Sequence, residues 1–142
     1  MIQNIIFDIG NVLVTFDPYT YFLKYFKEET KTRTLCELMF SHEAWSQYDA
    51  GILLRKDLYE IYHQAYPQYQ EEMDHMLTHW LKLMEPIPET LACMKELKQQ
   101  GYGIYLLSNI SQDSADYLKK TQDFFAYADG CLLYTSDAAD EL

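Results

Sequence analysis

Two short stretches of this chain end in groups that could do chemistry. In Ile5 to Pro18, IIFDIGNVLVTFDP, a carboxylate (Asp8) closes an apolar run and a glycine (Gly10) follows two residues later. In Tyr102 to Asn109, YGIYLLSN, a second apolar run closes on Ser108 and Asn109. A carboxylate at the tip of a buried strand can attack a phosphoryl or carbon centre and form a covalent intermediate. A serine hydroxyl, backbone N–H groups and the start of a following helix can hold an anion. In open α/β sheets, ligands bind at the carboxyl ends of the strands, so both stretches would open on one crevice. The structural alternative is that Asp8 closes a turn and Ser108 caps the helix beginning near Ser111.

The elements that must position these groups follow from the apolar spacing. Ile2 to Phe7 is a short, β-branched apolar run, expected as a buried strand of a parallel sheet. Gly10-Asn11 marks a turn. Asp17-Pro18 reads as N-cap and first helical residue, opening a helix with Tyr19, Phe22, Leu23 and Phe26 on one face. Helical spacing continues to about Met84. One helix carries Leu35, Leu38, Met39 and Phe40. Ser41 is expected to cap the next, which holds Trp45 and Tyr48 and stops at Gly51. A third carries Leu58, Ile61 and Tyr62 and breaks at Pro67. A fourth carries Met73, Met76, Leu77, Trp80 and Leu81. After Pro86 and Pro88, Glu89 to Gln100 forms an amphipathic helix with Leu91, Met94 and Leu97 inward and Gly101 just past its end. Ile104 to Leu107 is a second buried strand, and Ser111 to Lys119 is helical. Strand, helical insertion, helix, strand, helix is the order of an α/β domain interrupted by a helical module.

Composition bounds the partners. The 142 residues carry a formal net charge of −11. That argues against nucleic acid, whose binding needs a basic footprint. A small anionic substrate stays open, because a metal or a helix N-terminus can reverse the local sign. Cys36, Cys93 and Cys131 are widely spaced and odd in number, which reads as reduced thiols rather than a disulfide framework. The apolar N-terminal run has no basic lead and is broken by Asp8, unlike a signal peptide. No apolar segment approaches the roughly 18 residues of a membrane span. The expectation is a soluble cytoplasmic protein. His75 and His79, four residues apart on a predicted helix, have a spacing used for metals, but no third ligand is evident and the spacing alone is common.

FDIGNVL followed by a helical insertion and then YGIYLLSN resembles the haloacid dehalogenase-like (HAD) hydrolases, nearest to their α-D-glucose-1-phosphate phosphatase-like branch, which carries a similar D-x-G-N-V. The resemblance runs from Ile2 to about Gly130 and includes HEAWSQYDAGILLRKDLYEIY and PIPETLACMKELKQQ. It implies an α/β fold: a Rossmann-like parallel sheet core, incomplete here, with an inserted α-helical cap domain. Residues 1–17 and 85–130 would form the core and residues 18–84 the cap. Asp8 would be the catalytic nucleophile, forming an aspartyl-phosphate, with its other oxygen on Mg²⁺. The backbone carbonyl of Gly10 would also bind the metal. Ser108, with Asn109 beside it, would hold the substrate phosphoryl group. The implied substrate is a small phosphorylated metabolite such as a sugar phosphate, with neither nucleic acid nor membrane as partner.

Two features depart from that pattern. Most phosphatases of the family place a second Asp where this chain has Gly10, as general acid and base. Asp17 is the one nearby carboxylate, and its N-cap reading is the stronger. The family also needs a later lysine and an acidic pair. After Lys120 no lysine or arginine follows, and no strand is expected ahead of Asp137, Asp140 and Glu141. Residues 131–142, Cys131 to Leu142, resemble a translated sequencing adapter read through at the end of a DNA fragment, so a truncated chain is expected, inactive as it stands and insoluble or molten. A 2-haloacid dehalogenase, which uses the same aspartate on carbon without a metal, is one alternative. A non-catalytic fragment with a binding or structural role is another.

Overall fold

The structure, a computed structural model, describes residues 1–134. The chain divides into two compact units, Met1–Phe16 with Met84–Leu142, and Asp17–Leu83. The first unit holds a three-stranded parallel sheet, β1 (Asn4–Phe7), β2 (Gly103–Asn109) and β3 (Gly130–Tyr134), in the order β1-β2-β3. The helical unit holds α1 (Pro18–Phe26), α2 (Glu29–Phe40), α3 (Glu43–Asp49), α4 (Arg55–Ala65) and α5 (Gln70–His79). In the sheet unit, α6 (Pro88–Gln99) precedes β2 and α7 (Gln112–Thr121) follows it. The fold is α/β with a Rossmann-like parallel sheet. No helix among the described residues is long and apolar enough to cross a membrane.

β2 shows why the sheet has one dry face. Ile104, Leu106 and Ser108 are buried while Tyr105, Leu107 and Asn109 are exposed, the period of two expected of a strand. Helix α6 packs on β2 through its one fully buried residue, Met94, and also meets the 3₁₀ turn Phe124–Tyr127. Phe7, Ile104, Leu106, Met94, Ala115, Leu118 and Phe124 form the core of this unit. Gly101 (φ 94°) ends α6 in the left-handed region, where glycine carries no Cβ penalty. At the amino end of the sheet, Asp129 accepts hydrogen bonds from Lys98 Nζ (2.5 Å) and the Ile104 N–H (2.8 Å). These bonds, Lys98 first, hold its carboxyl below the usual carboxylate value. The segments leading out of and back into the sheet unit are stitched together: the Thr15 N–H donates to Glu85 O and the Ile87 N–H to Leu13 O, both at 2.8 Å.

The helical unit is built on aromatic contacts. Trp45 meets Trp80, Tyr48 and Phe40 edge to face, and buried Tyr62 donates its hydroxyl to Met39 O at 2.6 Å. Asp17 does cap α1, accepting from Thr20 N (3.2 Å) and Thr20 Oγ1 (2.6 Å), with Pro18 in the first turn. Ser41 is not the cap of α3; it ends α2. His42 caps α3 instead, its Nδ1 accepting from the Ala44 N–H at 3.0 Å. An imidazole acceptor one residue further on does the work usually given to a hydroxyl.

Two further expectations need correction. β1 begins at Asn4 rather than Ile2, because pairing with β2 starts at Asn4↔Gly103. A strand does precede the C-terminal acids: β3, Gly130–Tyr134, pairs along β2 from Tyr105↔Gly130 onward. The apolar run Cys131-Leu132-Leu133 suits a strand whatever its origin. Asp137, Asp140, Glu141 and most of the adapter-like stretch lie outside the described residues.

Candidate active site

Asp8 stands one residue past β1, and Ser108 near the carboxyl end of the neighbouring β2. Parallel pairing carries both chains the same way, so both groups reach the same end of the sheet. Ser108 is buried, and its Oγ donates to Asp8 Oδ1 at 2.8 Å. The Ile9 N–H donates to the same oxygen at 2.6 Å. Oδ1 is thus held by two donors, which fixes the carboxylate plane. Asp8 itself is exposed.

The loop after Asp8 is a single tight turn around one carbonyl. Ile9 O accepts from the N–H groups of Val12 (3.2 Å), Leu13 (2.9 Å) and Val14 (3.1 Å). Ile9, Leu13 and Val14 are buried and anchor it. Asn11 takes a positive φ of 56°, a conformation open mainly to Gly and Asn. Its N–H donates to Val14 O (2.7 Å) and its Oδ1 accepts the Phe16 N–H (2.9 Å). Gly10 sits exposed between Asp8 and this turn, with open space where a Cβ would stand. Sequence reading found the turn at Gly10-Asn11. The Ile9 carbonyl carries no side-chain signal, so its role appears only in the fold.

Beyond β2, Ser111 rather than Ser108 caps α7. Its Oγ accepts from the Ser114 N–H (3.2 Å) and donates to Ser114 Oγ (2.9 Å). The capping alternative for Ser108 therefore falls, and its hydroxyl is directed at Asp8 instead. Asn109 is the last residue of β2. Helix α7 starts three residues later, at the same end of the sheet, where its partial positive charge favours an anion.

For a metal, Asp8 and the Gly10 carbonyl offer two hard oxygen donors, one of them charged, which fits the preference of Mg²⁺. Among the described residues no group of three or more His, Cys, Asp or Glu could hold a metal ion, so water would fill most of such a shell. His75 and His79 belong to no such group. Tyr25 stacks on the His75 ring at 3.5 Å between centroids, and the His79 ring lies 4.6 Å from it. Burial, then His79, pushes the His75 pKa down.

No protein-family model matches the chain, and no curated protein matches it. Solved structures do. An enzyme of the HAD family from Bacteroides thetaiotaomicron aligns over 97% of this chain and 70% of its own, at 16% identity and TM-score 0.59. The same enzyme is also known as a wild-type complex with magnesium and inorganic phosphate. A dehalogenase in an intermediate complex aligns over 97% of this chain and 64% of its own, at 18% identity and TM-score 0.65. The L-2-haloacid dehalogenase of Xanthobacter autotrophicus, with chloropropionic acid covalently bound, aligns over 98% and 58%, at 16% identity and TM-score 0.57. The chain therefore spans between about three fifths and seven tenths of these neighbours' lengths. Its fold is that of the HAD enzymes.

Proposed function

We propose that this chain is part of a HAD-like hydrolase, a Mg²⁺-dependent phosphatase of the α-D-glucose-1-phosphate phosphatase-like branch acting on a small phosphorylated metabolite such as a sugar phosphate. The observation that carries the reading is the Ser108 Oγ to Asp8 Oδ1 contact of 2.8 Å, between residues 100 positions apart in sequence. A strand-end serine that serves no helix and instead points at a strand-end carboxylate suits a site where both face one tetrahedral anion. The bound magnesium and phosphate of one fold neighbour support the same chemistry.

In this reading Oδ1 stays with the Ile9 N–H and Oδ2 of Asp8 attacks phosphorus. The new O–P bond forms as the bond to the leaving oxygen breaks. Ser108 then turns its hydroxyl toward a phosphoryl oxygen, and Asn109 and the start of α7 offer N–H donors to the others. Water attacks the phosphorus of the aspartyl-phosphate, releases phosphate and restores Asp8. Bound Mg²⁺, held by Asp8 and the Gly10 carbonyl, would lower the repulsion between carboxylate and substrate. Gly10 can neither give nor take a proton, so the leaving oxygen takes its proton from water or from a group outside these four residues. The lysine and acidic pair implied by the resemblance have no match in the described residues. The proposed activity is that of a longer, cytoplasmic polypeptide, and the 142-residue chain alone is expected to be inactive.

Gly10 also favours a second reading. A 2-haloacid dehalogenase needs neither the second Asp nor a metal. The test is release of inorganic phosphate from a panel of sugar phosphates by the longer polypeptide, with and without EDTA, beside its Asp8→Asn variant. Phosphate release that EDTA and Asp8→Asn both abolish supports the phosphatase. Release that survives Asp8→Asn sinks it, and EDTA-insensitive halide release establishes the dehalogenase.

A further inference from the structure

The chain has four histidines, and all lie in the helical unit. Two of them spend a ring nitrogen on the fold. His42 Nδ1 accepts from the Ala44 N–H at 3.0 Å, and His63 Nε2 meets Asp74 Oδ1 at 2.5 Å. The other two, His75 and His79, are half-buried and, among the described residues, make ring contacts rather than hydrogen bonds. Both stand on α5, four residues apart, so their side chains leave the same helix face one turn from each other. Tyr25 stacks on His75 with the planes 14° apart, and the rings of Phe22 and Phe26 stand steeply to it, at 6.2 and 5.9 Å between centroids. Stacking covers the face of an imidazole, whereas a metal bond lies in its plane. Tyr25 therefore orients the ring without using a nitrogen.

The separation of the two rings matches a shared cation. A metal–nitrogen bond is about 2.05 Å and the ring centre lies about 1.15 Å beyond the nitrogen, roughly 3.2 Å from the metal. Two imidazoles at a right angle then have centres about 4.5 Å apart, and at the tetrahedral angle about 5.2 Å. The observed centres are 4.6 Å apart, with the planes at 47°. The right-angle value fits, and right-angled donors belong to tetragonal Cu²⁺ or Ni²⁺ rather than to tetrahedral Zn²⁺. Two acids of the same helix are engaged elsewhere: Glu72 pairs with Lys31 at 3.1 Å and Asp74 with His63. Water would complete the shell. The net charge of −11 draws cations toward the surface.

We propose that His75 and His79 form a two-imidazole site for a divalent transition metal of tetragonal preference, Cu²⁺ ahead of Zn²⁺, which cross-links the last turn of α5. The donors differ in kind from the oxygens of Asp8 and Gly10, which suit Mg²⁺. The site rests on the helical unit alone and stands whether or not Asp8 is a nucleophile. His79 is the last residue of α5, and helix ends fray first. A metal held by both rings closes that turn, and binding to the folded form stabilises the unit by mass action.

The test is titration of the 142-residue chain with Cu²⁺, after the exposed thiols Cys93 and Cys131 are alkylated so that they neither bind nor reduce the probe. Calorimetry should find one tight equivalent, and pulsed EPR of the bound Cu²⁺ should show two coordinated imidazoles. His79→Gln, and His75→Phe, which keeps an aromatic ring against Tyr25, should each leave one imidazole. Each should weaken binding by about tenfold or more, because a second donor on the same helix acts at high effective concentration. Concentrated urea, which unwinds α5, should weaken it likewise. His42→Asn and His63→Gln should leave binding unchanged. Four results would overturn the proposal: Cu²⁺ binding no tighter than in the double variant His75→Phe/His79→Gln, a single coordinated imidazole in the unsubstituted chain, loss of the metal in His42→Asn or His63→Gln, or Zn²⁺ bound as tightly as Cu²⁺.

Discussion

Asp8 offers a substitution pair that separates what its carboxylate holds together from what it does. Oδ1 accepts from buried Ser108 Oγ (2.8 Å) and from the N–H of fully buried Ile9 (2.6 Å). Asp8→Asn keeps an oxygen acceptor in that place. Asp8→Ala removes it and leaves both donors without it. A net hydrogen bond contributes about 0.5–1.5 kcal/mol, so losing two predicts a cost of about 1–3 kcal/mol for the alanine variant. The lower half of that range is expected, because Asp8 is exposed and water can replace part of it. The asparagine variant loses only the charge assistance, about 1 kcal/mol or less. At about 3 °C per kcal/mol for a chain of this size, the two melting points should differ by roughly 3 °C. Thermal unfolding by circular dichroism measures this. Turnover by the longer polypeptide should fall in both variants by about 10⁴-fold or more, some 5.5 kcal/mol of barrier. An asparagine variant that is no more stable than the alanine variant would refute the structural half of this reasoning, and an active one the chemical half.

Acid should act on the two units in different windows. Burial and His79 lower the His75 pKa, so the unfolded chain binds that proton first and the helical unit should lose stability as pH falls below the ordinary value of 6.5. Melting points of the chain and of His75→Phe at pH 7.5 and 5.5 test this; the loss on acidification should shrink in the variant. Asp129 is depressed by Lys98 and the Ile104 N–H, so its contribution to the sheet unit is present above the ordinary value of 3.8 and lost as pH falls through the lower folded value. Asp129→Asn should flatten that lower step, read as amide exchange in β2 between pH 5 and 2. Asp17→Ala should cost about 1 kcal/mol through the lost cap of α1, measured by urea unfolding, with Asp17→Ser recovering most of it.

What the sequence made legible follows the range of each interaction. Asp17-Pro18 and Gly101 act on the next turn of backbone, and each marks a helix end where expected. The parallel sheet is legible because Ile104 and Leu106 sit in a run with no polar break. Ser41 and His42 compete for one cap within two positions, and local preference favours the hydroxyl over the imidazole that wins. Ser108 and Ser111 compete in the same way, and only the fold shows that Ser111 holds the helix. β3 was missed because its pairing to β2 is set by register across 25 residues, from Tyr105 to Gly130. Ile6, Tyr105, Leu107 and Leu132 look like core in any linear reading, yet all four are exposed in the fold.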